Sequence, residues 1–151
     1  MYTIGDTVRD FTLPNQNNEM ITLSSYKGKK VLIWFYPKAS TPGCTAEGCS
    51  LRDAFTELSN KNVIVIGISM DTVQRQQNFV TKKSFPYDLL ADTQGLVVRD
   101  FGAWGAKKFL GKSYEGILRL SFLLDEEGIV THVFDKVNTK THARDVLSVL
   151  G

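Results

Sequence analysis

Between residues 31 and 90 the chain switches repeatedly between two hydrophobic periods, and that alternation constrains its fold more than any other feature. The apolar run at residues 31–36 reads as a strand, and a helical pattern follows over residues 44–59. Val63–Ser69 reads as a second strand, residues just after Asp71 to about Lys83 as a second helix, and residues 87–90 as a short third strand. This order implies a parallel sheet with right-handed crossovers. The pattern then changes. Residues 120–124 and 129–137 read as strands joined by Asp125-Glu126-Glu127-Gly128, a hairpin signal with glycine where positive φ is needed. Ala143, Val146, Leu147 and Leu150 mark one buried stripe of a C-terminal helix. At the other end, residues 11–13 and 20–23 flank Pro14-Asn15-Gln16-Asn17-Asn18, which reads as an N-terminal β-hairpin.

A β-α-β core followed by β-β-α is the thioredoxin arrangement. The expected fold is therefore α/β, a central mixed sheet flanked by helices and preceded by the hairpin, in one domain over residues 1–151. A chain of 151 residues, 42% of them hydrophobic, is long enough for one sizeable core and too short for two ordinary ones. Eighteen basic against sixteen acidic residues give a formal charge of +2 with no long basic run, so no nucleic-acid partner is expected. The apolar runs fall far short of the ~20 residues of a membrane span, and the first residues carry neither the basic region nor the apolar core of a secretory signal. The expectation is a cytoplasmic protein with no membrane partner.

Both cysteines sit at one strand-to-helix junction, where Pro37-Lys38-Ala39-Ser40-Thr41-Pro42-Gly43-Cys44 leads into the helix that also carries Cys49. Free backbone N–H groups and the macrodipole at a helix N-terminus stabilise a thiolate, which makes the thiol there a nucleophile. A static structural disulfide is disfavoured in a reducing compartment, so the pair points to catalysis, redox sensing or metal binding.

At 100° per residue, Gly48, Leu51, Phe55 and Leu58 share the direction of Cys44, while Cys49 points ~140° away with Arg52, Asp53 and Thr56. Cys44 should therefore face the core and Cys49 another side. In an intact helix their Cα atoms stand ~8.7 Å apart, beyond the ~7 Å limit for a disulfide, so a bond between them requires the first turns to unwind. Gly43 and Gly48 each weaken the helix by roughly 1 kcal/mol relative to alanine and ease that unwinding.

Pro37, Thr41 and Cys44 match the P-x-x-x-T-x-x-C signature of peroxiredoxins. The longer string from Phe35-Tyr36-Pro37-Lys38 through Thr41-Pro42-Gly43-Cys44-Thr45-Ala46-Glu47 resembles the peroxiredoxin Q branch, also called bacterioferritin comigratory protein. The likeness runs from Gly5-Asp6 through Phe85-Pro86-Tyr87-Asp88-Leu89-Leu90-Ala91-Asp92 to Arg119 and the Phe122-Leu123-Leu124-Asp125-Glu126-Glu127-Gly128 strand and turn. Ala39 and Leu120-Ser121 depart from the commoner pattern. The resemblance implies a thiol-dependent peroxidase that reduces hydrogen peroxide and organic hydroperoxides. Cys44 is then the peroxidatic thiol, oxidised to a sulfenic acid. Thr41, the backbone N–H groups of Gly43 and Cys44, and Arg119 bind the peroxide oxygens, and Pro37 shields the thiolate. Cys49 is the resolving thiol of an atypical two-cysteine cycle, and a thioredoxin-type dithiol reopens the resulting disulfide. The working unit implied is a monomer.

No cofactor is expected, since the chain has neither a G-x-G-x-x-G fingerprint nor a P-loop. A metal is not expected either, because two isolated histidines and cysteines at i and i+5 make a poor zinc set. Two other functions compete: a thioredoxin-like thiol–disulfide oxidoreductase, which the absence of C-x-x-C disfavours, and a redox-switched binding protein or holdase. Each site residue also has a plainer reading. Thr41 can be a capping residue, Arg119 a strand residue paired with Glu115 or Asp125, Glu47 a first-turn acid, His132 and His142 surface residues, and Trp34, Trp104 and Phe101 packing.

Overall fold

The computed structural model describes residues 1–151, and its central sheet has five strands, in the spatial order 88–91, 63–69, 30–35, 121–124, 130–134. Strands β3 (Lys30–Phe35), β4 (Val63–Ser69) and β5 (Asp88–Ala91) are parallel, whereas β8 (Ser121–Leu124) runs antiparallel to β3 and β9 (Val130–Phe134) antiparallel to β8. This is the expected mixed sheet. The continuous apolar run is explained by burial on both faces: Val31, Ile33 and Phe35 enter one core cluster, and Leu32, Trp34 and Tyr36 the other. Trp34, Phe35 and Tyr36 have no exposed surface.

Helices α1 (Pro42–Asp53), α2 (Phe55–Asn60), α3 (Val73–Lys83) and α5 (His142–Leu150) contribute to the second cluster through Leu51, Leu58, Phe79 and Val146. Short α4 (Leu96–Asp100) contributes Val97 and Val98 to the first. The N-terminal hairpin forms as β1 (Thr12–Pro14) and β2 (Met20–Thr22), with Leu23 opening a turn of 3-10 helix instead of extending the strand.

Two expectations are corrected and one element is added. The helix expected over residues 44–59 is two helices that meet at Ala54, whose φ of −100° and ψ of 10° break the regular geometry. No glycine or proline marks the break. The last strand stops at Phe134 rather than residue 137, after an irregular register at Leu123/Leu124. Finally, the chain between α4 and β8 carries a second hairpin, β6 (Trp104–Phe109) and β7 (Lys112–Ile117), that the hydrophobic pattern did not reveal. Its far strand delivers the chain to Arg119.

Candidate active site

β3 ends beneath the N-terminus of α1, and the loop between them is pinned from below. The Ala39 N–H donates to Asp71 Oδ2 at 2.8 Å, and Ser69 Oγ donates to the same oxygen at 2.6 Å. Asp71 is buried, so these bonds hold the loop at the C-terminal end of β4. Ser40 takes the left-handed conformation, φ 66°, which turns the chain into the helix.

Pro42 occupies the first helical turn, where its missing N–H removes nothing from the helix. Thr45 is the first residue to bond back, from its N–H to Thr41 O at 2.8 Å, so the preceding amides of Gly43 and Cys44 lie open to an acceptor. Thr41 stands at the capping position, yet its side chain makes no cap bond. Its hydroxyl donates to Lys38 O at 2.7 Å instead. Pro37 and Thr41 stay partly exposed while Cys44 is fully buried.

Arg119 reaches this turn from just before β8. Its guanidinium donates from one terminal nitrogen to Cys44 Sγ at 3.5 Å and from the other to Glu47 Oε1 at 2.7 Å. Neither carboxylate suggested by sequence spacing is its partner. Glu115 accepts from Trp104 Nε1, and Asp125 accepts the turn amides of Glu127 and Ile129. Gly43 makes the approach feasible, because a Cβ there would stand 3.2 Å from Arg119 Nη2. A second cation lies nearby: Lys107 Nζ donates to Ile117 O at 2.8 Å, and burial followed by the Arg119 charge holds its pKa below the ordinary lysine value.

Cys49 lies on another face of α1, partly exposed, and both thiols are free. The helical wheel separates the two as expected: Cys44, Gly48, Leu51 and Leu58 are buried, and Phe55 is half-buried. Gly48 has a packing role beyond lowering helix propensity, since a Cβ there would lie 2.5 Å from Phe85 Cζ.

Two residues read as peripheral prove central. Glu47 has no exposed surface, and burial raises its pKa to about 7 against the lowering effect of Arg119. His142 is 1% exposed, and burial lowers its pKa to about 4. Its Nε2 lies 2.8 Å from Ser121 Oγ and 3.6 Å from Glu47 Oε2. Both had a sequence signal. Glu47 is one turn from Cys44 at i+3, and His142 precedes Val146 by four residues on the apolar stripe of α5. His132 remains partly exposed, and Trp34 and Phe101 are core residues.

The arrangement is a thiol in the first turn of a helix, facing open amides and a fixed guanidinium. Known proteins resemble this chain over nearly its whole length. Residues 4–133 match the AhpC/TSA family. The chain is 44% identical to peroxiredoxin Bcp of Escherichia coli over 146 residues, 97% of this chain and 94% of that one. The structure of peroxidoxin BcpB from Mycobacterium tuberculosis superposes with a TM-score of 0.88 at 36% identity, covering 99% of this chain and 97% of the other. A cysteine-to-serine mutant of peroxiredoxin Q from Xylella fastidiosa superposes with a TM-score of 0.94 at 27% identity, covering 99% and 96%. On these likenesses the chain belongs to the AhpC/TSA family, as a peroxiredoxin of the Bcp, or peroxiredoxin Q, branch.

Proposed function

We propose that this peroxiredoxin reduces hydrogen peroxide and organic hydroperoxides at Cys44 and regenerates itself through Cys49 and a thioredoxin-type dithiol. The observation that carries the reading is the Arg119 guanidinium 3.5 Å from Cys44 Sγ, in the one turn of α1 with open amides. The thiolate attacks one peroxide oxygen. An S–O bond forms, the O–O bond breaks, and the departing oxygen takes a proton to leave as water or alcohol while Cys44 becomes a sulfenic acid.

Ionisation accounts for little of the rate such a site needs. A thiol of ordinary pKa is ~3% thiolate at pH 7, so complete ionisation gains at most ~30-fold. The remainder must come from donors aimed at charge developing on the leaving oxygen. Arg119 and the amides of Gly43 and Cys44 are those donors. Thr41 complements them as an acceptor. With its proton committed to Lys38 O, its hydroxyl presents lone pairs and accepts the hydrogen of the bound hydroperoxide. Pro37 flanks the loop and limits water at the sulfur.

Cys49 then attacks the Cys44 sulfenic acid, expelling water and forming an intramolecular disulfide, which a dithiol reductant exchanges back to two thiols. Since both sulfurs belong to one chain, we read the cycle as complete in a monomer, working in a reducing compartment such as the cytoplasm. Cys44→Ser keeps the side chain's size but replaces the thiol by a hydroxyl that does not ionise near pH 7. In peroxide consumption coupled to thioredoxin, this variant is expected to lose all measurable activity while keeping the wild-type fold by circular dichroism. Retained activity, or a wild type that reduces insulin disulfides and leaves peroxide untouched, sinks the proposal.

A further inference from the structure

Behind the contact between Arg119 and Cys44 lies a layer of buried polar groups that the reaction described above does not use. Glu47 Oε1 accepts from Arg119, but Glu47 Oε2 has no hydrogen-bond partner and no exposed surface. A buried carboxylate with one oxygen unpaired is costly unless a proton or donor satisfies it. Oε2 faces His142 Nε2 at 3.6 Å, across the packing of α5 on α1. That nitrogen is itself held by Ser121 Oγ at 2.8 Å, and a hydroxyl can donate to a bare ring nitrogen or accept from a protonated one. The ring also makes an edge contact with Phe134 at 5.5 Å between centroids, and the start of α5 is tied to α1 by the Ala143 N–H donating to Ser50 Oγ at 3.1 Å.

We propose that His142 is a positioning residue of the peroxide site: from the C-terminal helix it steadies the Glu47 carboxylate, which in turn holds Arg119 against Cys44. The proposal rests on the reading of Cys44 and Arg119 given above. Glu47 faces Arg119, His142 and Tyr87; Arg119 also faces Cys44 and Lys107, and His142 also faces Asp145 and the Arg119 charge. Near neutral pH the imidazole is uncharged, so the group whose charge changes there is the carboxyl. Replacing the imidazole by hydrocarbon disfavours the carboxylate further. Glu47 then keeps its proton to higher pH, and Arg119 loses the charge-assisted bond that orients it.

The test is the second-order rate of Cys44 oxidation by hydrogen peroxide in a single turnover, followed across pH. His142→Phe, which keeps a ring against Phe134, is expected to slow oxidation about 10-fold at pH 7, with recovery as pH rises through the displaced Glu47 titration. His142→Gln, whose amide can stand near the Nε2 position, should regain most of the rate. In a Glu47→Gln background, His142→Phe should have no further effect, because the residue through which it acts is already neutral. Ser50→Ala, which loosens the docking of α5 without touching the pair, should keep the wild-type pH profile. An unchanged profile in His142→Phe, additive effects in the double variant, or Ser50→Ala reproducing the His142→Phe profile overturns the proposal. Where His142→Phe fails to fold, His142→Leu serves in the same comparison. A wild type whose Cys44 is not oxidised by peroxide refutes the reading of the site itself, a result distinct from all of these.

Discussion

Cys44 and Cys49 lie five residues apart on α1 and meet different physics. Cys44 is in the first turn, fully buried, beside open amides and 3.5 Å from a guanidinium nitrogen. Cys49 is past that turn, partly exposed, and its nearby cation, Arg52, is already committed to Asp53 at 3.0 Å and to Lys83 O at 2.9 Å. A thiol becomes a nucleophile for peroxide through its place on the helix and its donors, and a thiol without them can still attack a sulfenic acid. On the proposed reading, chemically identical side chains thereby take different roles.

The largest break in that contrast comes from Cys49→Ser. One equivalent of peroxide should still be consumed, because nothing at Cys44 is altered, but thioredoxin-coupled turnover should fall at least about 100-fold as Cys44 stalls as sulfenic acid and then overoxidises. Mass spectrometry of the stalled protein reads the outcome directly. The proposed Cys44–Cys49 disulfide also requires the helix to open, since ~8.7 Å between Cα atoms in an intact helix cannot be bridged. Amide exchange across α1 should accelerate on oxidation, while the central strands stay protected. Unchanged protection in a protein shown to contain the Cys44–Cys49 bond contradicts the opening, and robust coupled turnover by Cys49→Ser removes Cys49 from the cycle.

Arg119→Met probes the Cys44 side. It removes the cation, which disfavours the thiolate, and it removes donors to the peroxide oxygens as well. The expected loss in the peroxide step is about 100-fold, and part of it should persist at a pH where the thiol is fully ionised. Full restoration of the wild-type rate at high pH shows that Arg119 acts on ionisation alone.

The place of Cys44 at a helix start was legible in the sequence from local spacing, while the roles of Pro37, Thr41, Gly43 and the distant Arg119 were implied by the family resemblance. Pro37, Thr41, Gly43 and Cys44 lie on one loop and one helical turn, where spacing translates directly into geometry. The assignment of Cys44 to the core and Cys49 to another face came from the wheel alone. What stayed hidden depends on contacts distant in sequence. Glu47 looked like a first-turn acid until Arg119, 72 residues on, and His142 closed over it. The β6–β7 hairpin escaped because its turn is Leu110-Gly111, both with positive φ, where an Asn-Gly pair would have announced it. The break at Ala54 has no local signal, since alanine is the strongest helix former.

The Cys44 side is backed by a buried carboxyl and imidazole, and the two pull stability in opposite directions with pH. Glu47 has a folded pKa of about 7 against 4.5 in the free residue, so the folded state holds the proton more tightly. Its contribution is fully present below pH 4.5 and is lost as pH rises through 7. His142 has a folded pKa of about 4 against 6.5, so the folded state gives up its proton more readily. Its contribution is present above pH 6.5 and is lost as pH falls through 4. Each displacement corresponds to about 3 kcal/mol, and across the range the two share they nearly cancel. Single substitutions should expose each slope in turn. Relative to wild type, Glu47→Gln should gain stability as pH rises from 4.5 towards 7, because the falling Glu47 contribution is gone. Relative to wild type, His142→Phe should lose stability as pH rises from 4 towards 6.5, because the rising His142 contribution is gone. Urea unfolding midpoints at a series of pH values, with constant m, measure both differences. Slopes of the same sign in the two variants, or none in either, show that the pair does not titrate as its burial requires.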